Sequence, residues 1–143
     1  MKSRIREGGG LLARYIKSLY GKRLARLSEH SYCAALLRGE YPYVAELFDA
    51  LAASDTEMLG ELGELLCSVG VDPVIDVRIR GQGCRSENID RTIASELDRL
   101  RGDIDELEWI HAITDEARVC EAAEKMRLLI SENIKIFERI LQS

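Results

Sequence analysis

Proline is nearly missing from this chain: Pro42 and Pro73 are the only two in 143 residues. Aromatic residues are scarce too, at 6%. With Leu, Ala, Glu and Arg abundant, these shortages favour an all-helical fold over a sheet. No apolar run approaches the roughly 20 residues that span a bilayer, which argues against a membrane-crossing segment. The start, MKSRIREGGG, has positive charge but no apolar stretch and cleavage site after it, so it does not read as a secretion signal. Positive charge is not in excess: 25 acids against 20 bases give a net charge of -5. That balance disfavours a general nucleic-acid binder, which needs a dominant basic face. The basic residues near the N-terminus, Lys2 to Arg26, read as solvent-facing charge on a tail and helix.

Cys33, Cys67, Cys84 and Cys120 are far apart, with no Cys-x-x-Cys pair and no zinc-ligand spacing. Cys33, Cys67 and Cys120 fall in helical stretches, where a thiol serves as a small apolar filler. Cys84, between glycine and arginine, is the one expected to meet solvent. A reduced, cytoplasmic setting is the expectation. Phosphate-binding glycine loops and nucleophile motifs are also missing. Gly8-Gly9-Gly10 lacks the Lys-Ser/Thr and the strand that a nucleotide loop needs.

What is present is helical period over one domain, residues 11–143, preceded by a flexible tail at 1–10. Leu11, Leu12, Tyr15, Ile16 and Leu19 begin a stripe that Leu24, Leu27, Ala34 and Leu37 continue to about Arg38. Gly21 predicts a kink or short break within it. Gly39 stops the first helix, and Pro42 sits in the first turn of the second. Val44, Leu47, Phe48, Leu51, Met58, Leu62, Leu65, Leu66 and Val69 line that second helix, which ends at Gly70 and Pro73. Ile75, Val77 and Ile79 then alternate with charged residues in strand fashion. This stretch, 74–85, reads as an extended crossover. Ser86 is the expected N-cap of a third helix carrying Ile89, Ile93, Leu97, Leu100, Ile104, Leu107 and Ile110. Thr114 and Asp115 cap a fourth, whose stripe is Val119, Ala122, Met126, Leu129, Asn133, Ile136 or Phe137, and Ile140.

The stretch Asp55–Pro73, DTEMLGELGELLCSVGVDP, resembles the second helix of ferritin-like four-helix bundles, the relatives of rubrerythrin and manganese catalase. In that family a Glu-x-x-His pair binds metal near the start of this segment, and the helix ends in Leu-Gly-Gly-Asp-Pro. The leucine spacing, Gly63-Glu64-Leu65, Gly70 and Asp72-Pro73 match. Asp55 stands at the family's Glu and Met58 at its His. Arg127 to Lys135, RLLISENIK, is similar to the family's fourth-helix motif, with Glu132 at the metal-binding Glu and Lys135 at the His. The resemblance implies two helical hairpins joined by an extended crossover, with a di-metal centre in relatives.

In the first helix the family's Glu falls on Arg23 or Arg26, one turn apart on one face. In the third it falls on Glu96, Gly102 or Asp103. A lysine ammonium cannot ligate a metal ion, so the residues predict a degenerate site: Arg23, Arg26, Asp55, Met58, Glu132 and Lys135. Asp55 with Arg23 or Arg26, and Glu132 with Lys135, could pair across the bundle and stay neutral without metal; the alternative is that these groups reach solvent. A weaker rival is a mononuclear site at His30, Glu108 and His111, although His111 also suits a helix C-terminus.

The resulting expectation is a non-catalytic structural or interaction domain with no cofactor. It would be a homodimer, or bind another protein, through Ile16, Tyr20, Tyr41 and Tyr43, and would bind neither nucleic acid nor membrane. The alternative is a divergent di-iron or di-manganese oxidoreductase acting on peroxide or oxygen, with Fe or Mn as cofactor. A third possibility is an apolar pocket by Met58, Gly60 and Gly63.

Overall fold

The computed structural model describes residues 10–73 and 88–142. These form four helices and, among the described residues, no strand: α1 Leu11–Leu37, α2 Pro42–Ser68, α3 Ile89–Ile113 and α4 Ala117–Gln142. Each is roughly 40 Å long at 1.5 Å per residue. None is long and apolar enough to cross a membrane. The strand-like stretch at 74–85, Cys84 and Ser86 lie outside the described residues, as does the tail at 1–9.

Helix ends follow local chemistry. Pro42 opens α2, where its missing N–H is no loss. The same helix closes in a Schellman motif. Gly70, at φ 75°, turns the chain so that its N–H reaches the Cys67 carbonyl and the Val71 N–H reaches that of Leu66. Only glycine adopts that backbone without strain. The N-cap of α3 is Asn88, whose Oδ1 accepts the Arg91 N–H at 3.1 Å, rather than Ser86. Thr114 Oγ1 accepts the Glu116 N–H at 3.1 Å and starts the turn into α4. The break expected at Gly21 does not occur, and α1 is helical throughout. Burial of Leu19 and Arg23 on either side of it in the seam offsets the propensity that one glycine loses.

The packing order comes from which residues meet. Going up α1, Lys22, Arg26, Glu29 and His30 contact Glu106, Asp103, Arg99 and Glu96 in turn. α1 and α3 are therefore antiparallel. Contacts of Tyr20 with Gly63 and Arg38 with Asp49 make α1 and α2 antiparallel as well. Ser54 with Asn133 and Glu61 with Lys125 do the same for α2 and α4. Consequently α2 and α3 run in the same direction.

The core is one apolar cluster drawn from all four helices, with Phe48, Leu51, Met58, Leu66, Leu100, Ile130 and Phe137 all almost wholly buried. Burying a side chain of this size contributes about 1.5–3 kcal/mol before chain entropy is counted. Phe48 and Phe137 meet edge-to-face at 6.2 Å. In α4 the inward stripe is Met126, Ile130, Asn133 and Phe137, while Ile136 faces out.

Two surface expectations are corrected. Ile16 is a core residue, and Tyr20 and Tyr41 pack against the core, so of the four residues assigned to an outer stripe only Tyr43 is exposed. Cys67 is exposed, whereas Cys33 is buried and Cys120 half-buried. Beside the small residues of α2, where an apolar pocket is the third expectation, Gly60 is exposed and the Tyr20 ring lies 3.6 Å from where a Cβ on Gly63 would sit.

Candidate functional site

The inward face of α1 runs Leu12, Ile16, Leu19, Arg23, Arg26, His30, Cys33 and Leu37. The spacing alternates three and four without interruption, the register of a bundle seam. Three successive seam positions are basic. On α2 the register Phe48, Leu51, Asp55, Met58, Leu62 and Leu65 includes one acid. On α3 the register Ile93, Glu96, Leu100, Asp103, Leu107 and Ile110 includes two. Helical period therefore drives Arg23, Arg26, His30, Asp55, Glu96 and Asp103 into one buried layer, each at 9% exposure or less.

Their side chains form a single alternating chain. His30 Nε2 meets Glu96 Oε1 at 3.0 Å, and Nδ1 meets Asp55 Oδ2 at 2.5 Å. Arg23 donates to Asp55 Oδ1 at 3.0 Å and to Asp103 Oδ2 at 3.4 Å. Arg26 grips Asp103 with both terminal nitrogens, at 3.0 and 3.2 Å. This is the two-pronged geometry in which guanidinium and carboxylate bind best. The layer carries three cations and three anions and is neutral. Neutrality is what permits its burial, since an unpaired interior charge is very costly.

Ionised carboxylates only accept hydrogen bonds, and both imidazole nitrogens face one. His30 is therefore the imidazolium. Burial alone would favour the neutral ring. The hydrogen bonds to Asp55 and Glu96, with their charges, outweigh it and raise the pKa from 6.5 to about 9. The Phe48 ring packs with its centroid 5.9 Å from that of the imidazole. At the rim Lys22 lies 3.6 Å from Asp103 and 3.1 Å from Glu106. Arg99 bonds Glu29 at 2.6 Å. On α4 the buried Asn133 donates to Ser54 Oγ, the neighbour of Asp55 in sequence, at 3.0 Å.

Measured against the sequence reading, the arginine alternatives on α1 are both buried and both paired. On α3 Glu96 and Asp103 enter the layer, and Gly102 is exposed. Met58 is in the core at 1% exposure. Glu132 and Lys135 are not part of the layer. They form a surface pair at 3.6 Å with side chains 73% and 63% exposed, so their expected pairing across the bundle is corrected to an i, i+3 contact on one helix. The reason is rotation: at about 100° per residue, a helix that turns Asn133 inward carries its neighbours at 132 and 135 out to water. Alanine at either position should leave the urea midpoint unchanged, because exposed pairs contribute little. A clear drop would return them to the core.

The rival cluster does not assemble, since His30 is buried while Glu108 and His111 are exposed. Among the described residues no group of three or more His, Cys, Asp or Glu side chains is arranged to hold a metal ion. The resemblance underrated His30. The signal that finds it is the seam register, in which 23, 26 and 30 continue 12, 16 and 19; following the leucines to 24 and 27 instead leads away from it.

Compared with protein-family models, with curated proteins and with solved structures, the chain matches none.

Proposed function

We propose that this chain is a ferritin-like helical domain in which an ionic layer stands where relatives hold two metal ions, and that its role is structural or interactive rather than catalytic. The observation that carries the reading is the pairing of Asp55 and Asp103 with Arg23 and Arg26. Asp55 occupies the position of a family metal ligand, and either arginine occupies another. These residues do not suit a di-metal centre. A pair of divalent cations is ordinarily held by four carboxylates with two histidines, and here fixed guanidinium charges occupy the carboxylates that would be needed. Arginine does not lose its proton under ordinary conditions, so the layer cannot be cleared for metal by a change of pH.

The parallel course of α2 and α3 supports the ferritin-like connectivity, since two hairpins linked by one long crossover have that relation. The layer ties α1 to α2 and to α3, and in this reading it selects helix register and partners. Buried ionic groups have been found to act in this way in other helical assemblies.

Elemental analysis tests the proposal. Protein produced with iron, manganese or zinc supplied in excess should contain far less than one ion per chain after desalting. Stoichiometric iron or manganese, lost on substituting Asp55, would favour the oxidoreductase alternative instead. For the interaction role, the exposed apolar residues Tyr32, Leu36 and Tyr43 replace the stripe read from sequence. Light scattering across a range of concentrations should reveal a dimer that Tyr43→Ser weakens; a monomer at every concentration removes self-association.

A further inference from the structure

We propose that the cavity between α1 and α3 beside Glu96 is an internal binding site for a water-sized, neutral hydrogen-bond donor, held by Glu96 and Arg99. The cavity measures about 40 Å³, and its lining includes Glu29, His30, Phe48, Thr92, Glu96 and Arg99. Glu96 is 4% exposed. Its Oε1 takes the His30 proton donor, but Oε2 accepts no hydrogen bond among the described residues. A buried carboxylate oxygen in that condition is expensive, and native interiors ordinarily supply it with a donor.

Three features define what that donor is. The first is size: the space exceeds the roughly 10–15 Å³ that one water requires, and it is far smaller than the clefts of about 300 Å³ or more that enclose organic ligands. The second is charge. The layer is already neutral and Glu29 is matched by Arg99, so a cation would leave the interior with net charge, and an anion would face the Glu96 carboxylate. The third is a gap in the polar wall. Arg99 Nη1 stands 3.7 Å from Glu96 Oε1, too far for a direct hydrogen bond, so a water lying beside the pair can accept from the guanidinium and donate to the carboxylate. Glu96, Arg99, Glu29 and Thr92 surround the space, enough for the two to four polar partners that an internal water uses.

The site makes Glu96 the wet end of the ionic chain. A proton on His30 Nε2 exchanges with solvent through Glu96 and the bound water, whereas the Nδ1 proton faces Asp55 inside the core.

A crystal structure of the full chain at neutral pH, at a resolution that shows ordered water, tests this directly. Density is expected within hydrogen-bond distance of both Glu96 Oε2 and the Arg99 guanidinium. NMR on histidine-labelled protein should show the Nε2 proton of His30 exchanging at least tenfold faster than the Nδ1 proton. An empty cavity, an Oε2 bonded directly to a protein donor, or an anomalous scatterer in the site overturns the proposal. The wild-type protein alone decides, so the outcome does not depend on whether a variant folds.

Discussion

Asp103→Ala should destabilise the fold by about 3–5 kcal/mol, the usual consequence of removing one member of a buried charge network. The carboxylate receives both nitrogens of Arg26 and one of Arg23, so its loss leaves Arg26 unmatched and Arg23 with Asp55 alone. A domain of this kind has about 5–15 kcal/mol in total, and the variant should be near its unfolding threshold at 37 °C. Urea titration followed by circular dichroism at pH 7 measures the change. The companion experiment replaces the pair with apolar side chains, Arg26→Met with Asp103→Leu. Because desolvation opposes the Coulombic gain, this double variant should recover most of the lost stability. If Asp103→Ala unfolds at the same urea concentration as the parent, the layer is not a network and its geometry means little energetically.

The second large effect is with pH. His30 has an ordinary value of 6.5 and rises to about 9 in the fold, so the folded state holds its proton more tightly than the unfolded chain. The stabilisation from this group is complete below about pH 6.5 and disappears as the pH climbs through 9. A displacement of that size corresponds to something on the order of 3 kcal/mol. The groups around the ring are Asp55 from α2 and Glu96 from α3, with Arg23 and Arg99 behind them; the nearby polar residue of α4, Asn133, is uncharged. Stability of the parent should therefore fall between pH 7 and 10 relative to His30→Gln, which has no proton to lose. The His30 ring signals in NMR should titrate near 9. Titration near 6.5 would mean that the two carboxylates do not hold the imidazolium.

Much of the layer could be read before any coordinates. The resemblance singles out Asp55 and either Arg23 or Arg26 as its partner, and Arg23 is the one that bonds it. The two arginines did not need to be chosen between, because residues three apart in a seam both point inward. Glu96 and Asp103, seven apart on α3, enter together for the same reason. Glu132 and Lys135 show where motif matching misleads. Their likeness to the family's Glu-x-x-His fixes a spacing along α4 but not the rotation of that helix about its own axis. Rotation follows from the whole stripe, and Ile130 and Phe137 outweigh a single motif. Ile16 stands both in the apolar stripe of α1 and among the residues expected at an interface, and the stripe decides: it is buried in the core.

Helix number, helix ends and the buried seams were written locally, because proline, glycine and capping residues act within a few positions and a 3.6-residue period needs no distant partner. Which acid meets which base could not be. That pairing depends on how far each rod slides and turns against its neighbours, and packing over the whole interior sets those displacements. Only the assembled bundle places the imidazole of residue 30 between two carboxylates that come from different helices, 25 and 66 positions along the chain.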